Sequence, residues 1–286
     1  MSVFSGILID GFSYGMILFM ISVGLSITMG LMRVINLAHG GFALIGGAAA
    51  HWLTTYLGMH YYLAVPLAVL VTTVFAMAME RVFYRKIYGF TELQQVLATI
   101  GITFLMIASI NFLLGSTILP IKIPEAFSAS IDLGFRTLPG HRLVVILMGL
   151  VVAAALFLLL ERTRFGIQLR AAVDHRNMAA ALGVNTSRIY AIAFGLGAGL
   201  AALGGILGAE LLPIEAYYPL RYMVLFLAVV AVGGMGSIAG SFFAALGLGI
   251  IDTTARYIAP EYGTIFFFIA MILVLTLRPR GLLGRI

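Results

Sequence analysis

The sequence predicts an all-α integral membrane protein with about eight to ten spans, some of them broken or re-entrant. Three observations carry that expectation. Hydrophobic residues fill 62% of the 286 positions and charged residues 10%, too little polar material to coat a soluble fold of this length. The mean hydropathy is +1.10. Several apolar runs reach or approach ~20 residues, the length that crosses a hydrocarbon core, and they are unbroken rather than alternating, which argues against a β-barrel.

Nine apolar segments follow one another. The first, 4–29, carries Asp10, expected to face the interface near the N-terminus. The second, 42–57, follows the polar break "NLAHGG" and holds His51. The third, 62–79, runs into Glu80 and a basic cluster of Arg81, Arg85 and Lys86. The fourth, 93–114, begins after Glu92; His51, Glu80 and Glu92 read as interfacial anchors at helix ends. Residues 115–142 hold Pro120, Pro124, Pro139 and Gly140 and read as a loop with little regular structure. The fifth segment, 143–160, leads into a second basic cluster of Arg162, Arg164, Arg170, Arg176 and Arg188. Segments 189–211 and 222–232 follow, with Glu210 and Glu215 flanking Pro213 between them on the outer side; their carboxylates are expected in water and Arg221 is expected to snorkel to the outer interface. Segment 241–258 contains Asp252 and Arg256, placed to pair at i,i+4. The last, 263–277, ends in a third basic cluster of Arg278, Arg280 and Arg285.

The three clusters hold eleven of the chain's 17 basic residues, so all three are assigned to the cytoplasm. Two spans between the first and second clusters, and four between the second and third, agree with that assignment. They put residues 115–142 and the N-terminus outside. The opening "MSVFSGILIDGFSYG" lacks the basic start and cleavage site of a signal peptide, so it is expected to be retained. The net charge of +6 is thereby explained by cytoplasmic flanks, with no nucleic-acid partner. The sequence has no cysteine. His39, His51 and His60 are too scattered for a metal site, and nothing pairs a nucleophile with a base, which argues against an intramembrane enzyme. The sequon at Asn185 falls in a cytoplasmic stretch and is discarded. The middles of the apolar segments hold almost no Asp, Glu, Lys or Arg, which argues against a stand-alone ion-coupled transporter or channel.

Glycines recur four apart at Gly11 and Gly15, Gly195 and Gly199, Gly204 and Gly208, and Gly236 and Gly240, a packing stripe rather than a functional signal. The stretches "GLSITMGLMRVINLAHGGFALIGGAAA" and "MVLFLAVVAVGGMGSIAGSFFAALGLG" share an order: apolar helix, break, small-residue helix. Broken helices in duplicated halves lie near the substrate route in transporters. This marks Asn36, His39 and Gly40, with Gly233, Gly234 and Gly236, as helix-break or path residues. Asn36 and His39 are costly at membrane depth unless they cap freed backbone or line the route.

The exception to the apolar pattern is residues 161–188, around "TRFGIQLRAAVDHRNMAAALG". A short helix is expected from about residue 175 to 182, with Asp174 as N-cap acceptor and Gly183 as the stop. Thr186 or Ser187 would cap the next helix. Met178, Ala181 and Leu182 fall on one side, with Arg176 and Asn177 away from it. A solvated loop does not need three alanines, a leucine and a helix stop; an exposed apolar face suits docking into a groove on a cytoplasmic protein.

"RAAVDHRNMAAALGVNTSRI" resembles the coupling segment of ABC importer permeases, more narrowly those for branched-chain and other hydrophobic amino acids. "RVINLAHG" (33–40), "VGGMGSIAG" (232–240) and "LRPRGLLGR" (277–285) resemble that family's signature motifs, in the family's order and across essentially the whole chain. The "DHRN" before the alanines departs from it, where acidic residues are frequent. The resemblance implies a single permease domain over 1–286, with 161–188 as cytoplasmic coupling segment, in the inner membrane of a bacterium. It implies a related second permease subunit, two cytoplasmic ABC ATPases and a periplasmic binding protein as partners. Arg170, Asp174, Arg176, Ala179, Ala180, Ala181, Leu182 and Gly183 would engage the ATPase. The chain itself would hold no cofactor and be no enzyme, ATP and Mg being bound by the partners, in keeping with the absence of a G-x-x-x-x-G-K-[ST] loop. Similar permeases carry urea, short amides or aromatic acids, which stand as the alternative substrates.

Overall fold

The computed structural model describes residues 2–31, 35–132 and 137–284. Arg33, in the first of the four motifs, and Arg285, in the third basic cluster, lie outside these residues.

All nine apolar segments are helical. Helix α1 (Ser2–Ser26) passes through a π-helical turn, Ile27–Leu31, into non-helical backbone at 35–38. The chain then turns back through α2 (His39–Thr55) and α3 (Tyr61–Met79). A second π turn, Glu80–Tyr84, and the single turn α4 (Arg85–Ile87) extend α3. Helix α5 (Glu92–Leu114) starts at a capping box, in which Thr91 and Gln94 satisfy each other's backbone N–H.

Residues 115–139, expected to be irregular, contain a short turn α6 (Glu125–Ser128) and an antiparallel pair β1 (Ser130–Asp132) and β2 (Thr137–Pro139), with Ile131 opposite Leu138. The pairing satisfies backbone polar groups that a loop against a bilayer would otherwise leave to water. Helix α7 (Gly140–Arg162) then descends to α8 (Arg164–Asp174) and α9 (Arg176–Ala181). The chain returns as α10 (Thr186–Leu207), α11 (Tyr218–Gly233), α12 (Ile238–Ile258) and α13 (Gly263–Leu277).

Among the described residues seven helical stretches are long and apolar enough to cross a membrane, the last because a 3-10 turn at Pro260–Tyr262 lengthens α13 to 18 residues; eight to ten spans were expected. The difference lies in α2 and α11, of 17 and 16 residues. Helix α2 starts inside the bundle, beside the last third of α1, where His39 meets the Ile21 carbonyl. Helix α11 starts beside it, with Pro219 against Gly40. At ~1.5 Å per residue neither spans the core alone; both are mostly buried inside the protein. They are the broken elements of the bundle.

The centre of the molecule is α1 and α10, flanked by α2, α11 and α12, with Phe19, Phe42, Phe194 and Phe226 among the fully buried side chains. The outer faces of α3, α5, α7 and α13 expose Leu70, Phe104, Phe112, Leu147 and Leu273, side chains suited to lipid. Glycines bring the central helices together. Gly11 meets Ile250, Gly15 meets the backbone of Ala245 and Leu246, Gly195 and Gly199 receive Met77 and Thr73, and Gly204 and Gly208 receive Ile21 and Ile17. Gly236 and Gly240 do not form such a stripe, because Gly236 lies in the break before α12.

The ends of the bundle are chemically distinct. At one end Tyr88, beside the first basic cluster, packs edge-on against Tyr190, and Arg176 of the second lies 5.4 Å from the centre of the same ring. The stretch after Arg278 hydrogen-bonds the end of α11, Leu282 to the Val232 carbonyl at 2.7 Å and Leu283 to that of Gly233 at 3.1 Å. Described residues of the three basic clusters thus gather at one end of the bundle. At the other end Asp10 pairs with Arg142 and Tyr257, bringing together the starts of α1 and α7 and the end of α12.

Candidate functional site

The break after α1 frees backbone groups at depth, and α5 satisfies them. Gln95, Thr99 and Thr103 lie four apart and form one polar stripe on its apolar surface. Gln95 Oε1 accepts from Ile35 N at 3.1 Å, and Thr99 Oγ1 from Leu37 N at 3.3 Å. The Thr103 hydroxyl donates to the Leu37 carbonyl at 3.3 Å. Asn36, fully buried, accepts from Ala38 N at 3.1 Å and from the Tyr84 hydroxyl at 2.9 Å. His39, also buried, places Nε2 3.0 Å from the Ile21 carbonyl, to which it donates. Asn36 thus satisfies backbone in the break, whereas His39 ties the start of α2 to a carbonyl within α1. The α5 stripe, not singled out, was visible as three polar residues at helical spacing. Thr99→Val should lower the midpoint of thermal unfolding in detergent by the equivalent of about 1–3 kcal/mol, the cost of a buried polar group left unpaired.

The second break faces the first. Gly233 ends α11; Gly234 and Gly236 follow at φ +95° and +80°. Gly236 N donates to Ser26 Oγ at 3.2 Å, and a Cβ on Gly30 would overlap the Gly236 backbone. Gly234 receives the backbone of Gly284. The motif at 232–240 thus meets the described end of the 277–285 motif, and also residues 26 and 30, on the helix that leads into the 33–40 motif.

The polar stretch holds two helices, not one. Helix α8 was not expected; its buried residues Gly166, Leu169 and Ala172 recur three apart, a signal the alanine run obscured. Thr163 caps it, Arg170 Nη1 donates to the Leu160 carbonyl at 2.6 Å, and the Tyr190 hydroxyl of α10 donates to the Ala172 carbonyl at 2.8 Å. Asp174 is the last residue of α8 rather than the N-cap of the next helix; His175, with no side-chain cap, takes the joint. Helix α9 closes with Gly183 at φ +88°, a conformation only glycine adopts without strain. Asn185, instead of Thr186 or Ser187, caps α10 through Arg188 N at 3.0 Å.

Only Ala179 of α9 is buried; Ala180 and Ala181 are exposed. Met178 and Leu182 are 63% and 81% exposed, two large apolar side chains at the basic end, outside the apolar helices. Asp174 and Arg176 are also exposed, and Arg170 is held by α7. The face is thus small, apolar, ringed by charge and fixed to α7 and α10.

At the opposite end lies a cavity of about 690 Å³ between α1, α7, α11, α12 and α13. Asp10 is buried there, not interfacial, because Arg142 and the Tyr257 hydroxyl engage it. Arg256 grips Asp252 through two nitrogens, at 2.7 and 3.3 Å, the i,i+4 pair expected. Arg221 donates to Glu215 at 2.7 Å, so that carboxylate is held rather than free in water. Glu80, expected to anchor at an interface, is fully buried and accepts from the Tyr88 hydroxyl at 3.0 Å. Among the described residues no group of His, Cys, Asp and Glu could hold a metal ion.

The chain resembles known proteins in sequence and in fold. The chain is 28% identical to the high-affinity branched-chain amino acid transport system permease protein BraD of Pseudomonas aeruginosa, over 97% of this chain and 95% of that one. It is 27% identical to LivH of Escherichia coli, which has the same description, over 96% and 94%. It is 24% identical to a probable branched-chain amino acid transport permease protein LivH of Methanocaldococcus jannaschii, over 95% and 90%. In fold it resembles PsaBC from Streptococcus pneumoniae, solved in complex with a Fab, at a TM-score of 0.50, 12% identity, 94% of this chain and 89% of that one. The family model described as branched-chain amino acid transport system / permease component matches residues 7–275, and the chain belongs to that family.

Proposed function

We propose that this chain is one permease subunit of a binding-protein-dependent ABC importer in a bacterial inner membrane, moving branched-chain or other hydrophobic amino acids. A related second permease, two cytoplasmic ATPases and a periplasmic binding protein complete the machine. Residues 1–286 act as one permease domain with 161–188 as the coupling segment. ATP and Mg sit in the ATPases, and this chain performs no chemistry. The observation that carries the reading is α9: Met178 and Leu182 stand out at the basic end on a helix too short to be stable alone, held by α8.

Motion has a contiguous route inward. The Tyr190 hydroxyl holds α8, and Phe194, one turn further on α10, lies 4.4 Å from the ring of Tyr84, whose hydroxyl bonds Asn36 in the break. Displacing α8 and α9 therefore pulls on the first break through packed rings. Tyr84→Phe removes only the hydroxyl; it should leave ATP hydrolysis intact and lower uptake per ATP, read in the same vesicles. Unchanged uptake per ATP removes this route.

The test of the importer reading is co-expression of the tagged chain with the permease, ATPase and binding-protein genes of its own genome. An ATPase should co-purify, and reconstituted vesicles should accumulate leucine only with ATP and binding protein. Transport by this chain alone, or recovery without an ATPase, overturns it.

A further inference from the structure

We propose that the cavity at the end opposite the basic clusters is a subsite for a free carboxylate on a short apolar chain, with Arg256 as its anchor. The inference rests on the importer reading and narrows its substrate class. Three arginines, Arg142, Arg221 and Arg256, line the cavity, and so does an apolar wall including Leu211, Leu225 and Phe268. Each is already paired: Arg142 with the buried Asp10, Arg256 with the buried Asp252, and Arg221 with Glu215. Arg256 is the one equipped to do more. Its Nε and one terminal nitrogen hold Asp252, and that nitrogen also reaches Thr264 Oγ1 at 3.5 Å. The other terminal nitrogen has no partner among the described residues, and the side chain is 53% exposed although Asp252 beneath it is 2% exposed. A guanidinium fixed on one edge by a buried carboxylate presents its remaining N–H groups in a set direction, the geometry a carboxylate accepts best.

Size agrees. The volume falls in the range of small-molecule sites. A neutral urea or amide cannot replace the charge-assisted pair that Arg256 offers, so the subsite favours amino acids and related acids over those alternatives.

The chain has no cysteine, so a single Val224→Cys, on the cavity wall and half-exposed, reports on it without background. The measurement is the rate of its modification by a methanethiosulfonate in membranes containing the full chain. Leucine and isovalerate should slow modification; isopentylamine and isovaleramide, which lack the carboxylate, should not. In D252N/R256Q, which removes the pair without stranding a buried charge, leucine protection should vanish. Should that variant fail to insert, R256K keeps the ion pair and should weaken protection by about tenfold, because the planar fork is lost. Protection by isovaleramide equal to that by leucine, protection by none of the four, or protection that survives both variants overturns the subsite. Equal protection by glycerol phosphate overturns it in favour of a lipid headgroup site. The labelling needs no ATPase, so a missing ATPase sinks the importer reading alone, and protection by the amide sinks this inference alone.

Discussion

Leu182→Asp is expected to leave the chain folded and inserted while abolishing ATP-driven uptake. Leu182 is 81% exposed, so its replacement opens no cavity and buries no charge in this chain alone. Its effect appears only when a partner covers it. An apolar anchor at the centre of a small interface carries about 2 kcal/mol or more, and a buried unpaired carboxylate costs more still, so ATPase affinity should fall by roughly a hundredfold. Met178→Asp should act alike and Arg176→Gln much less, since a rim charge steers association more than it holds it. Deleting Ala179–Ala181 should uncouple more severely, because it removes buried Ala179 and the register that brings the chain to Gly183. The measurements are co-purification of the ATPase and leucine uptake in vesicles. If Leu182→Asp supports full uptake, α9 is not the docking face.

What the sequence showed of this face, and what it hid, follow the range over which each signal acts. Apolar Met178 and Leu182 beside a glycine stop are local facts, and the glycine stands at positive φ as expected. The Asp252–Arg256 pair is also local, four residues on one helix. Burial of Asp10 was illegible because its partners Arg142 and Tyr257 come from helices far along the chain. Glu80 was placed at an interface because it follows an apolar run, but the helix continues as a π turn and folds the carboxylate under Tyr88. The number of spans was overestimated for a related reason. Hydropathy marks α2 and α11 as apolar, yet only the tertiary position of His39 against Ile21 shows that α2 begins inside the bundle, short of the end of α1. The break residues were legible as a polar interruption; their partners on α5 were not, since a Gln and two Thr on an apolar helix also suit ordinary backbone back-bonding.

A large loss of stability is expected at Gly24. A Cβ there would overlap the Gly197 backbone, where α1 and α10 pack with no side chain between them. Overlap with a carbonyl on a neighbouring helix cannot be relieved by a rotamer change; one helix must move away from the other. That motion would open the aromatic cluster of Phe42, Phe194 and Tyr84 and release Asn36 from its hydroxyl partner. Gly24→Ala should therefore cost about 3 kcal/mol or more, visible as loss of monodisperse protein in detergent or a large fall in unfolding midpoint. Gly101 on α5 is the matched control, because nothing lies within 4 Å of a Cβ there. Gly101→Ala should hold or raise stability, by up to about 1 kcal/mol of helix propensity. The opposite signs of two identical substitutions test close backbone approach, since propensity alone makes both changes favourable. If Gly24→Ala is as stable as Gly101→Ala, the α1–α10 contact is looser than the structure places it, and the route from α8 to the break through Phe194 loses its rigid support.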